Sequence, residues 1–183
     1  MSNKENILVI DVEMTCEEHK TDGFESEIIQ IGLVELNHRG EIVRESMRFV
    51  RPQHSEVTPF CTKLTGITPK QVKSANYLDS VLNSLVKFGI KNKRLAFWGF
   101  DNLQFSQECS RKNIDFKLSS NIMNLSLLHS LLRGTDSKVK LNDALRHWGI
   151  EPEGDAHDAL VDARNTARLL QAIMNSSPVR LNG

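Results

Sequence analysis

Apolar residues recur at two spacings along this chain. The first third carries the strand pattern, and the remainder mixes helical stripes with one further strand. Residues 7–13, ILVIDVE, begin with four aliphatic side chains in a row and read as a buried strand. A second strand is expected at 27–36, EIIQIGLVEL, which is apolar and rich in Ile. HRG at 38–40 supplies a turn, and EIVRESMRFV at 41–50 alternates apolar and polar positions as a half-buried strand does. These are three consecutive strands, at least two of them an antiparallel hairpin.

From residue 65 the pattern changes. The stretch 65–89 places Thr68 and Pro69 as cap and first-turn proline, and Leu78, Leu82, Leu85 and Val86 mark the apolar face of a helix. RLAFWGF at 94–100 is another strand, ending at Asp101, with a helix after it to about Lys112. Residues 121–134 read as a helix closed by Gly134, and 140–149 as a shorter one closed by Gly149. Ala159, Ala163, Thr166, Leu170 and Ile173 form a helical stripe over 158–174, and the tail NSSPVRLNG is expected to fray. Without repeats or low-complexity segments, 1–183 reads as a single domain with its core at about 6–174, one sheet covered by helices.

Composition narrows the classes. A chain of 183 residues, 39% hydrophobic and 25% charged, can bury a sizeable core without staples. No apolar run approaches the ~20 residues of a membrane span, and MSNKENILVI lacks signal-peptide organisation, so a cytoplasmic protein without a membrane partner is expected. Cys16, Cys61 and Cys109 lie far apart with no CxxC pair, which predicts free thiols rather than a zinc site or disulfides. The 23 basic and 23 acidic residues balance, so net charge neither selects nor excludes a nucleic-acid partner.

The candidate chemistry is acidic. Asp11 and Glu13 are two apart on a strand and therefore share a face. Their plain reading is a solvated strand end. Their alternative is a pair of oxygen ligands for a hard divalent cation, Mg²⁺ or Mn²⁺. Asp101, at the end of another strand, reads as a helix cap, a role compatible with being a third such ligand. In AHDALVDARNTARLL, 156–170, His157 and Asp162 would diverge by about 140° on one continuous helix. They can meet only if His157 precedes the helix, with Asp158 as its cap. His157 otherwise reads as a solvated loop residue. Trp98 and Trp148 read as core, and His19, His38, His54, His129 and His147 as surface or satisfied histidines. No G-x-G-x-x-G follows the first strand, which argues against a nucleotide-cofactor enzyme.

The order of these motifs resembles that of the DEDDh family of 3′–5′ exonucleases, the DnaQ-like or RNase H-like group. VIDVEMT, FWGFDNLQF and HDALVDARNTARL resemble its three motifs in sequence, with His157 and Asp162 in the H-x4-D arrangement. DVEMTCEE and residues 49–72, FCTKLTGIT above all, are similar to the narrower group of histone-mRNA 3′-end and siRNA exonucleases and their bacterial relatives. The resemblance covers about 6–174. It implies an α/β, RNase H-like mixed five-stranded sheet flanked by helices. It further implies that Asp11, Glu13, Asp101 and Asp162 hold two Mg²⁺ ions, with Mn²⁺ able to substitute, and that His157 acts as general base.

Met14, Phe60, Leu64 and Phe100 are implied to line the terminal-nucleotide site, with core packing as the alternative for the last three. The implied activity is 3′–5′ hydrolysis of single-stranded nucleic acid to nucleoside 5′-monophosphates. RNA 3′ ends are slightly preferred, and a DNA exonuclease of proofreading or repair type is the alternative. A binding module that has lost catalysis would have replaced a ligand position, and none is replaced. Eukaryotic members of the narrower group often carry an additional nucleic-acid-binding domain upstream. This chain begins almost directly at its first strand, so no stem-loop role is expected. Arg111, Lys112, Lys117 and Lys140 read as solvated charges or as guides for a phosphate backbone.

Overall fold

The computed structural model describes residues 5–19, 22–135 and 139–176. As the alternation predicts, three strands come first: β1 (Ile7–Met14), β2 (Ile28–Leu36) and β3 (Ile42–Phe49). They form an antiparallel meander, β2 pairing with β1 on one side and β3 on the other. β4 (Arg94–Phe97) then runs parallel to β1, and β5 (Ile122–Asn124) parallel to β4. The mixed five-stranded sheet has the order β3-β2-β1-β4-β5. Its helices are α1 (Pro59–Thr65), α2 (Pro69–Lys73), α3 (Leu78–Leu85), α4 (Asp101–Arg111), α5 (Leu125–Arg133), α6 (Leu141–His147) and α7 (Ala159–Ser176).

The period of two in β1 divides its side chains between two layers. Leu8 and Ile10 belong to the core that holds Leu78 and Leu82 of α3 and Phe105 of α4. Ile7 and Val9 belong to the core on the other face, with Ala163, Ala167 and Leu170 of α7. Asp11 and Glu13 continue the second row, so the two acids lie on the face that α7 covers.

Three expectations change. The stretch 65–89 divides into α2, closed by a Thr68–Gln71 capping box, and α3, which starts after Tyr77. Between them the Asn76 carbonyl accepts the Arg51 N–H instead of continuing a helix. Val86 leaves the apolar face and is exposed at the start of a 3-10 turn. The strand expected at 94–100 stops at Phe97, opposite Ile10, and residues 98–100 bend away. The helix expected over 121–134 opens with β5, whose three residues pair with Leu95–Phe97 and are too few to show an alternation. Asn124 then caps α5 by accepting the Leu127 N–H at 3.1 Å. The tail remains helical through Ser176, and its remainder lies outside the described residues.

Candidate active site

β1 and β4 are parallel neighbours, but β1 connects onward to β2 on its far side. Such a switch in an α/β sheet opens a crevice at the C-terminal strand ends. Ile10 faces Phe97, the last residue of β4. Asp11 is the next residue of β1, and Asp101 starts α4 just past the bend. Phe100 occupies the N-cap of α4, and Asp101 makes no capping bond. The cap role of Asp101 therefore does not apply, and its side chain is left to the crevice.

α7 brings the remaining groups from the opposite layer, and a glycine permits it. Gly32 lies opposite Asp11 across the β1–β2 ladder. A Cβ at Gly32 would stand 2.0 Å from the Ala159 carbonyl oxygen, so the start of α7 rests directly on the β2 backbone. Gln30, opposite Glu13 and buried, fixes that approach. Its Oε1 accepts the Ala159 N–H at 2.8 Å, and its Nε2 donates to Asp158 Oδ2 at 3.3 Å. Asp158 is the cap the sequence predicts: its Oδ1 accepts the N–H groups of Leu160 and Val161 at 3.0 and 3.1 Å.

His157 stands just before the helix in a left-handed conformation (φ 69°), which turns the chain back. Its backbone N–H donates to Asp162 Oδ2 at 2.9 Å. The convergence demanded by the five-residue spacing is thus achieved. A ring nitrogen of His157 and carboxylate oxygens of Glu13 and Asp162 all lie within 4.8 Å of one another.

Electrostatic coupling links all four acids. Burial pushes the Asp11 carboxyl well above its usual range, and Asp101, Asp162 and Glu13 push it further. Glu13, only 8% exposed, is raised by burial and then by Asp162 and Asp101 to about 8. Burial and Asp162 raise Asp101 to about 7. Asp162 is raised by burial despite the opposing His157 N–H. Among the described residues no Lys or Arg forms an ion pair with any of the four. An all-oxygen set, buried at Glu13 and half-buried at the other three, with this much uncompensated negative charge fits hard divalent cations.

The four residues implied to line the nucleotide site are less uniform. Met14 ends β1 and is half-buried, and its carbonyl accepts a weak Cys61 S–H bond at 3.6 Å. On α1, Cys61 and Thr65 form the buried row, while Phe60 and Leu64 share the neighbouring row. Phe60 is half-buried, Leu64 is 40% exposed and Phe100 is 58% exposed. None of these three belongs to the described core clusters. Core packing, their alternative reading, is not what the structure shows.

Trp98 and Trp148 pack against core clusters, as expected. His129 and His147 are satisfied through Trp148 and each other. The three cysteines are free. Two of the four candidate phosphate guides have other work: Lys112 sits in a buried ion network, and Arg111 pairs with Glu25 and the Ser26 carbonyl. Gln30 and Gly32 carry no chemical motif in the sequence. The glycine inside an otherwise continuous apolar strand was the available sign of a close backbone approach.

Residues 8–170 match the RNase T family model, described as exonuclease. The chain is 29% identical over 191 residues to 3′-5′ exoribonuclease 1 of Rattus norvegicus, covering 96% of this chain and 55% of that protein. The chain thus spans about half the length of the curated relatives it matches first. Among solved structures, it superposes on the nuclease domain of 3′hExo, a DEDDh family member bound to rAMP. The TM-score is 0.88 at 26% identity, with 96% of this chain and 94% of that one covered. A 3′-exonuclease solved in 3′-end specific recognition of a histone mRNA stem-loop matches with a TM-score of 0.83 at 28% identity, covering 98% of this chain and 66% of that one. On the matched family model and the shared DEDDh nuclease fold, the chain belongs to the RNase T family of exonucleases.

Proposed function

We propose that this chain is a metal-dependent 3′–5′ exonuclease acting on single-stranded nucleic acid, with RNA slightly preferred, and releasing nucleoside 5′-monophosphates. One observation carries the reading: Asp11, Glu13, Asp101 and Asp162, drawn from both faces of the sheet, raise one another's carboxyls, and among the described residues no Lys or Arg pairs with them. These four carboxylates would hold two divalent ions. When bound, such ions activate water and offset the charge of a scissile phosphate.

The chain's own groups divide the remaining tasks. Glu13 and Asp162 anchor opposite sides of the site, one from the sheet and one from α7. His157 stands beside both, and a neutral imidazole there can take the proton of the attacking water. Its position on a turn before α7 keeps the ring at the solvent side, where that proton can leave. Met14, Phe60, Leu64 and Phe100 are the residues assigned to the terminal nucleotide. The last three stay outside the described core clusters, and the rings of Phe60 and Phe100 offer aromatic faces that stack on any base. The relatives named as 3′-5′ exoribonucleases and the neighbours solved with rAMP and with a histone mRNA stem-loop favour RNA.

The test uses 5′-labelled RNA and DNA oligomers of one sequence, with Mg²⁺, with Mn²⁺ and with chelator. Stepwise shortening from the 3′ end, faster on RNA and absent in chelator, is expected, with 5′-monophosphates recovered by chromatography. Internal cuts, loss from the 5′ end or full activity in chelator would refute the reading. Faster shortening of DNA would replace RNA with DNA as the substrate.

A further inference from the structure

Behind the acidic site lies a second charged cluster of different construction. Lys112, one residue past α4, has a side chain only 4% exposed, and its Nζ bridges Glu27 at 2.5 Å and Glu108 at 2.6 Å. Both carboxylates are buried, and Lys112 is their only described cation. Glu108 accepts the Ile28 N–H at 2.7 Å, which ties α4 to the start of β2. Glu27 does more. Its two oxygens accept the backbone N–H groups of Gln53, His54 and Ser55 at 2.9, 2.7 and 2.6 Å, and the Ser55 hydroxyl at 2.8 Å. Burial raises this carboxyl, but Lys112 and the three N–H groups prevail and hold it at about 2. A single carboxylate therefore organises the segment 53–55.

That segment leads into α1. Ser55 Oγ also lies 2.8 Å from Thr15 Oγ1, and Thr15 follows β1 two residues after Glu13. Thr58 then caps α1 by accepting the Cys61 N–H at 3.0 Å, and donates to the Cys16 carbonyl at 2.9 Å. α1 contributes to neither of the two large cores, only to a small cluster around Cys61. Beside the packing of Cys61 on Ile29, this polar chain ties α1 to the end of β1 and, through Glu27 and Lys112, to α4, and Phe60 and Leu64 are carried on that helix. The same α4 carries Asp101 at its other end.

We propose that Lys112 is a positioning residue for the terminal base, its ammonium joining Glu27 and Glu108 so that α1 is held at a fixed distance from the acidic site. The inference rests on the function proposed above, and it adds a determinant whose described ion pairs are with Glu27 and Glu108 rather than with the residues assigned to the substrate. A purely architectural ion cluster would lower stability and all activities together. A positioning cluster acts through the base, so its effect vanishes when the base is absent.

The experiment follows from that difference. Lys112→Met alone leaves two facing buried carboxylates and risks unfolding. The Glu108→Gln/Lys112→Met double variant removes one charge of each sign and keeps the cluster's net charge. Both it and the wild type would be assayed on two oligomers, one with an ordinary 3′-terminal nucleotide and one with an abasic 3′ terminus. The ratio of kcat/KM between the two ends is expected to fall about tenfold in the double variant, within the range a stacked base contributes. The loss should fall in KM. A ratio equal to that of the wild type, whether both activities drop or neither does, would overturn the proposal. Equilibrium binding of the same pair in Ca²⁺, followed by fluorescence anisotropy, reads the same ratio without turnover. A wild type that binds with the base-dependent ratio but never shortens either oligomer would count against the exonuclease reading alone.

Discussion

Replacing Glu13 by Gln should make the metal-free protein more stable while abolishing its activity. The Glu13 carboxyl has an ordinary value of 4.5 and is raised to about 8 in the folded chain by burial and by Asp162 and Asp101. Between those values the folded state holds a proton that the unfolded state has released, so folding stability declines as pH rises. At pH 7 the unfolded carboxyl is ionised and its folded counterpart protonated. Holding that proton 2.5 pH intervals above the ordinary value of 4.5 costs about 3 kcal/mol at ~1.36 kcal/mol per interval. Gln keeps the shape, carries no charge and can donate its amide hydrogens to the neighbouring carboxylates.

In chelator at pH 7, thermal unfolding followed by circular dichroism should therefore show the variant melting ~6–12 °C above wild type, at about 2–4 °C per kcal/mol for a chain of this size. At pH 5 the same arithmetic leaves less than about 1 kcal/mol, so the advantage should nearly disappear. Mn²⁺ should raise the melting temperature of the wild type and leave the variant almost unmoved. A variant that melts at or below the wild type in chelator at pH 7, or an advantage that does not grow between pH 5 and 7, would refute the argument.

Three further outcomes are expected. Gly32→Ala drives a methyl into the Ala159 carbonyl, which a 2.0 Å separation does not allow. α7 must lift, and denaturant unfolding should show a loss of about 1–3 kcal/mol with Mn²⁺ binding weakened in parallel. His157→Ala should lower kcat by ~10²–10⁴-fold while calorimetric Mn²⁺ affinity stays within about twofold, since a general base contributes to turnover rather than to metal retention. Phe100→Ala removes an aromatic ring that is 58% exposed. It should raise KM about fivefold or more with little change in melting temperature, because a stacked base contributes ~1–3 kcal/mol.

Much of this was legible in the residues, for identifiable reasons. Three strands stood out because two are long apolar runs, the third alternates, and each lies next to its partner in sequence. The H-x4-D spacing was informative because it excludes one continuous helix. It forced His157 onto a turn, and the structure supplies that turn with a positive φ and the Asp158 cap. β5 was missed because three residues carry no period, and its pairing depends on β4, which lies more than twenty residues earlier in the chain. The break between α2 and α3 was missed because the Arg51 N–H that claims the Asn76 carbonyl lies on a segment distant in sequence. Lys112 misled for the same reason. A lysine at a helix end reads as solvated, and only the fold shows that Glu27 and Glu108 enclose it. Local pattern disclosed the acids, and long-range contacts decided which surrounding groups hold them in place.

The measurement closest to the central claim is calorimetric titration of Mn²⁺ into the metal-free chain at pH 7, run in two buffers of different ionisation enthalpy with a 3′-thiolated, cleavage-resistant oligomer present. Carboxyls held near 7 and 8 must lose their protons to serve as ligands. Uptake of two ions with net proton release is expected, and both should be lost in Asp11→Asn. No heat of binding in the wild type, or binding of the same stoichiometry and proton count in Asp11→Asn, would contradict the account.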